Sequence, residues 1–111
     1  MGQKHWNSNE FNARLASDTA WTNASLQAAP AAGVRLYITD ICIFGGATAR
    51  IFSLLDGSGG TTIYKASLAA NGFCEAHLQV PLRLTAATAL CLTSSGASVA
   101  AFVGVNGYIS N

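Results

Sequence analysis

The sequence predicts an all-β protein, a single antiparallel β-sandwich or barrel of about seven or eight strands, on three observations. The chain has 111 residues, enough for one hydrophobic core and too few for two. From about residue 20 onward, short runs rich in Val, Ile, Thr, Phe and Tyr are interrupted by Gly, Asn and Ser every 8 to 12 residues or so, the rhythm of antiparallel sheets. Two of those runs alternate with period two.

Seven strands are expected, over residues 21–26, 34–44, 48–55, 61–68, 73–84, 89–93 and 99–109. The turns between them carry residues that accept positive φ: Gly45-Gly46, Asp56-Gly57-Ser58-Gly59-Gly60, Asn71-Gly72, Ser94-Ser95-Gly96 and Asn106-Gly107. Segment 73–84 places Cys74, Ala76, Leu78, Val80, Leu82 and Leu84 on one face, with Glu75, His77, Gln79 and Arg83 on the other. Pro81 cannot donate a ladder hydrogen bond and puts this strand at a sheet edge or a bend. Segment 34–44 is apolar on both parities apart from Thr39 and Asp40, so it is expected to be covered on both faces, the outer one by a subunit neighbour. The oligomer interface expected from these two segments comprises Tyr37, Thr39, Ile41, Ile43, Glu75, His77, Gln79 and Arg83. One echo is visible: Gly46-Ala47-Thr48 leads to Phe52 and Asp56-Gly57 as Gly96-Ala97-Ser98 leads to Phe102 and Asn106-Gly107, which convergent turn chemistry explains.

Residues 1–19 differ in kind. They hold Lys4, Glu10, Arg14 and Asp18 with Trp6 and Phe11, and lack alternation; Asn7-Ser8-Asn9-Glu10 offers a helix cap with Phe11 and Leu15 at i and i+4. The expected organisation is therefore an N-terminal docking arm, 1–19, with Lys4, His5, Trp6, Phe11 and Arg14 as its contacts, followed by the sandwich, 20–111.

Reactive constellations are scarce. No carboxylate pair stands out among Glu10, Asp18, Asp40, Asp56 and Glu75. His77 and Glu75 form an i, i+2 pair on a strand face, which suits a surface or interface histidine better than a base or metal ligand. Cys42, Cys74 and Cys91 lie within apolar runs without CxxC spacing, so reduced core thiols are expected, in a reducing cytoplasm, and no metal or cofactor. A net charge of +1 supplies no field for nucleic acid, and no apolar run reaches the length of a membrane span. The positive signal is the deficit of charge: 10% of the residues are charged, and beyond residue 20 only Arg35, Asp40, Arg50, Asp56, Lys65, Glu75 and Arg83. Interfaces are where charge is depleted, so a covered subunit is expected.

The segments Val34-Arg35-Leu36-Tyr37-Ile38-Thr39-Asp40-Ile41, Leu54-Leu55-Asp56-Gly57-Ser58-Gly59-Gly60-Thr61-Thr62-Ile63-Tyr64, Pro81-Leu82-Arg83-Leu84-Thr85-Ala86 and Val105-Asn106-Gly107-Tyr108 together resemble the small β-sandwich virion proteins of tailed bacteriophages. The resemblance covers roughly residues 33–111. It implies a jelly-roll-like sandwich, commonly trimeric, and a non-enzymatic structural role. The expected function is a capsid decoration or cement protein that binds the major capsid protein as a homotrimer on the virion surface after synthesis in the host cytoplasm. The alternative is a tail- or fibre-associated module that binds a host glycan. Neither role involves a nucleic acid, a membrane or a cofactor.

Overall fold

A computed structural model describes residues 9–111 and is built of eight strands without a helix among those residues. The strands are β1 (Glu10–Ser17), β2 (Ala24–Gln27), β3 (Arg35–Phe44), β4 (Arg50–Asp56), β5 (Thr61–Leu68), β6 (Phe73–Arg83), β7 (Leu90–Ser94) and β8 (Ala101–Ser110). They form two four-stranded sheets, ordered β1-β8-β3-β6 and β2-β7-β4-β5. First pairs with last, second with second-last, and so inward to the β4–β5 hairpin, every pairing antiparallel. The chain is thus one long hairpin rolled into a two-sheet sandwich, the connectivity of a jelly roll.

The core between the sheets comes from the inward parity of each strand: Leu36, Ile38, Ile41 and Ile43 from β3, Phe52 and Leu54 from β4, Leu90 and Leu92 from β7, Val103 and Val105 from β8, with Leu84 following β6. Phe52 sits at its centre and meets Trp21 edge-on, ring centroids 6.1 Å apart.

Three expectations change. Residues 10–17 are a strand of the sandwich, not part of an arm: β1 pairs with β8 from Glu10↔Tyr108 to Ser17↔Ala101, and Phe11 and Ala13 are buried in the core. The helix expected from Phe11 and Leu15 is replaced by alternation, with Phe11, Ala13 and Leu15 inward and Asn12, Arg14 and Ala16 outward. Lys4, His5 and Trp6 lie outside the described residues.

Second, Ile41 and Ile43 are 1% and 0% exposed and belong to this chain's own core, so they are not interface residues. A register shift between Ile38 and Asp40 switches the parity of β3 partway along, carrying Leu36 and Ile38 inward before it and Ile41 and Ile43 inward after it. A strand read with a single parity therefore looks apolar on both faces, the more so because Tyr37, Cys42 and Phe44 do lie outward. Third, Val80 is 80% exposed although its parity placed it in the core. Ile38 pairs with Leu82 and Asp40 with His77, so β6 bulges between them and lifts Val80 out. Pro81 lies beside that bulge, and β6 is the edge strand it implied.

The cysteines divide. Cys91 is buried, and desolvation pushes its thiol up. Cys74 packs against the core with its Sγ 3.2 Å from the Tyr64 hydroxyl, while Cys42 lies on the outer parity of β3, half-buried rather than in the core.

The echoed turns dock against each other. Ser98 donates to the Gly45 carbonyl at 2.6 Å and accepts from Thr48 N–H at 3.1 Å, while Ala47 N–H reaches the Val99 carbonyl at 3.0 Å. Gly46, at φ 76°, has to be glycine, since a Cβ there would lie 2.5 Å from Ser98 Oγ and from the Val99 carbonyl oxygen. Several charges are spent on such joints: Asp18 accepts from Ala100 N–H, Arg35 donates to the Leu84 carbonyl, Arg50 to the Ala97 carbonyl, and Asp56 accepts from Thr85 N–H and Oγ1.

Candidate functional site

The outer face of the β1-β8-β3-β6 sheet collects all but one of the described charges that the fold does not use, Lys65 on the other sheet being the exception. Cross-strand register arranges its outward side chains in four rows, each running from β1 through β8 and β3 to β6. The first is Ala16, Phe102, Phe44, Phe73; the second Arg14, Gly104, Cys42, Glu75; the third Asn12, Asn106, Asp40, His77; the fourth Glu10, Tyr108, Tyr37, Arg83.

The rows differ in chemistry. Phe102, Phe44 and Phe73 make an aromatic band at one end, with Phe73 exposed and the Arg14 guanidinium 6.0 Å from the centre of the Phe102 ring. Tyr37 and Tyr108 stack in parallel at 4.9 Å at the other end. Between them lies a groove of about 270 Å³ lined by Arg14, Asp40, Cys42, Glu75, His77 and Asn106, with Gly104 at its floor.

Three side chains define the electrostatics of the groove. His77 Nδ1 donates to Asp40 Oδ1 at 2.6 Å, Thr39 Oγ1 donates to Asp40 Oδ2 at 2.9 Å, and His77 Nε2 faces Glu75 Oε1 at 3.8 Å. The hydrogen bond to Asp40, aided by the Glu75 charge, raises the His77 pKa above 6.5. The same bond, with that of Thr39, lowers the Asp40 pKa below 3.8. Two flanking carboxylates favour the protonated, donating form of the imidazole, which disfavours it as a general base for Cys42 or a water. Among the described residues no group of His, Cys, Asp and Glu has metal-binding geometry.

A folded-state pKa raised in His77 stabilises the protein below the unfolded value and ceases to do so as pH rises through the folded one; the lowered Asp40 pKa acts above its unfolded value and is lost as pH falls through the folded one. The pair is therefore charged from below pH 3.8 to above pH 6.5. NMR titration of His77 is expected to give a pKa above 6.5, and Asp40→Asn is expected to move it down. An unshifted His77 that ignores Asp40→Asn would show that the contact does not persist in solution.

Of the residues expected at an interface, Tyr37, Thr39, Glu75, His77 and Arg83 meet on this face, and Gln79 is exposed where β6 bulges; Phe11, expected in the arm, is in the core, and Arg14 lies in the groove. Sequence reading missed Asp40, Asn106, Phe44 and Phe102 as parts of the same surface. The alternation of Phe11, Ala13 and Leu15 was the available signal for β1, blurred by Ala16 on the other parity.

No family model matches the chain, and no curated protein matches it. Among solved structures it is similar to the coat protein of Tobacco streak virus, at 9% identity and a TM-score of 0.47 over 93% of this chain and 87% of that one. It is also similar to the virus-like particle of the extra small virus of the giant freshwater prawn Macrobrachium rosenbergii, at 10% identity and a TM-score of 0.38 over 90% of this chain and 80% of that one. The jelly-roll assignment stands on the strand order itself.

Proposed function

We propose that the protein is a non-enzymatic virion structural subunit of a tailed bacteriophage, a capsid decoration or cement protein that covers the major capsid protein as a homo-oligomer. The trimer implied by the phage resemblance is part of this reading. The observation that carries it is the near absence of charge on the second sheet. The outer face of β2-β7-β4-β5 presents Ser25, Ile51, Ser53, Thr62, Ser67 and Thr93, with Lys65 its only charge among the described residues. Depletion of charge with retention of small polar groups suits a surface that is covered rather than solvated. Docking on the shell by many weak contacts sums to stability without any strong single bond. Trp6, with Lys4 and His5 beside it, is the anchor in this reading, since a buried Trp is a frequent hot spot.

The test is occupancy on particles stripped of the protein. Added protein is expected to bind the shell and raise its resistance to heat, with Trp6→Ala weakening binding well over tenfold, on the order of the ~2 kcal/mol of a hot-spot side chain. Labelling confined to the tail tip, or binding to a host glycan array without shell binding, would replace the decoration role with the adhesive one.

A further inference from the structure

We propose that the outer face of the β1-β8-β3-β6 sheet is self-complementary, and that a second copy of this chain docks on it face to face about a two-fold axis parallel to the strands. The proposal deepens the homo-oligomeric part of the function above and does not depend on the capsid.

Charge that the fold does not use is left over on this face. Asp18, Arg35, Arg50 and Asp56 hold backbone groups of their own chain. Glu10, Arg14, Asp40, Glu75 and Arg83 instead lie on this one face, and the only ion pairs among the described residues join His77 to Asp40 and Glu75. Among the described residues Glu10, Arg14 and Arg83 have no ionic partner, in a sheet that places opposite charges at opposite edges of the same row. Glu10 and Arg83 end one row, Arg14 and Glu75 another. Row ends are three strand spacings apart, about 14 Å, too far to pair within one chain.

A two-fold axis running along the strands between β8 and β3 lays β1 of one copy over β6 of the other, and β8 over β3. Each row then faces itself reversed. Glu10 meets Arg83 and Arg14 meets Glu75, each contact occurring twice as an isologous interface requires. In the same docking Asn106 faces Asp40, Gly104 faces Cys42, Tyr108 faces Tyr37, and the small Ala16 faces the exposed Phe73. Every juxtaposition is compatible in charge or in bulk. The other in-plane two-fold, perpendicular to the strands, sets Glu75 against His77 and Tyr37 against Phe44, but it puts Arg14 against Asn12 and Glu10 against Ala16, so those two charges stay unpaired.

Dimension and edge chemistry agree. Four strands about 4.8 Å apart and about eight residues long span roughly 19 by 27 Å, which with side-chain relief is of the order of the ~800 Å² per partner in a stable interface. Aligned sheets pack this way at about −30°. The bulge and Pro81 at the β6 edge oppose the competing route, edge-to-edge strand addition.

The experiment is light scattering and sedimentation of the full chain across concentration, for the wild type, Glu10→Arg, Arg83→Glu and the double variant. The wild type is expected to form even-numbered species, a dimer, or a hexamer if a trimeric ring also closes. Each single reversal, which creates two like-charge contacts, is expected to weaken association about tenfold or more, and the double variant to restore it to within about threefold. Circular dichroism separates these effects from misfolding. A short bis-maleimide is expected to cross-link Cys42 of one copy to Cys42 of the other without any mutation, because both lie beside the axis. A wild type that is only monomer or only trimer, single reversals without effect, a double variant no better than the singles, or cross-links that exclude Cys42 would each overturn the proposal. Shell occupancy, measured separately, reports on the decoration role and leaves this result untouched.

Discussion

Deletion of residues 1–19 is expected to abolish folding, whereas deletion of residues 1–8 is expected to leave the thermal transition in place. The longer deletion removes β1, whose pairing with β8 runs the full length from Glu10 to Ser17. It also empties the core positions of Phe11 and Ala13 and strips one side of β8, an interior strand with Val103 and Val105 fully buried. Truncating one buried Phe costs about 3–5 kcal/mol, and losing a whole strand adds its ladder hydrogen bonds; a domain of this size has only about 5–15 kcal/mol in total. Far-UV circular dichroism during heating checks both shortened chains. A cooperative transition in the longer deletion would mean that β1 is dispensable and that the arm ends at residue 19, where the sequence alone suggested.

Phe52→Ala is expected to be the most damaging single truncation in the core, at about 3–5 kcal/mol. Phe52 is 1% exposed, lies on β4 between its neighbours β5 and β7, and holds Trp21 edge-on, so its loss opens a cavity that those strands cannot close without breaking register. Urea denaturation should show a lowered midpoint with an unchanged slope. Val80→Ala is the control, because an 80% exposed side chain on a bulge is worth no more than about 0.5 kcal/mol. Equal effects of the two would contradict the assignment of Phe52 to the centre of the sandwich.

Much of this architecture is local and was therefore legible. The alternation along Phe73–Arg83, the Pro81 that marks its edge position, and the glycine turns at Gly45-Gly46 and Gly57 act within a few residues of themselves, through side-chain parity and φ preference. The scarcity of charge is likewise a property of the composition, and it pointed to covered surfaces before any strand was placed. What the tertiary structure alone decided concerns partners distant along the chain. Phe11 and Leu15 fit a helical spacing as well as every second place of a strand, and only the docking of residues 10–17 against 101–108 selects the strand. The switch of parity at Asp40 exists because β3 has to satisfy β6 and β8 at once around a shared irregularity, and that switch turns Ile41 and Ile43 into the core. The rows of the candidate site follow from the same cause: Glu10, Tyr108, Tyr37 and Arg83 become neighbours only when four strands from both ends and the middle of the chain fall into register. Periodicity reports which face a residue takes within its own strand, and hydrogen-bond register between strands, which no single segment contains, sets what stands beside it.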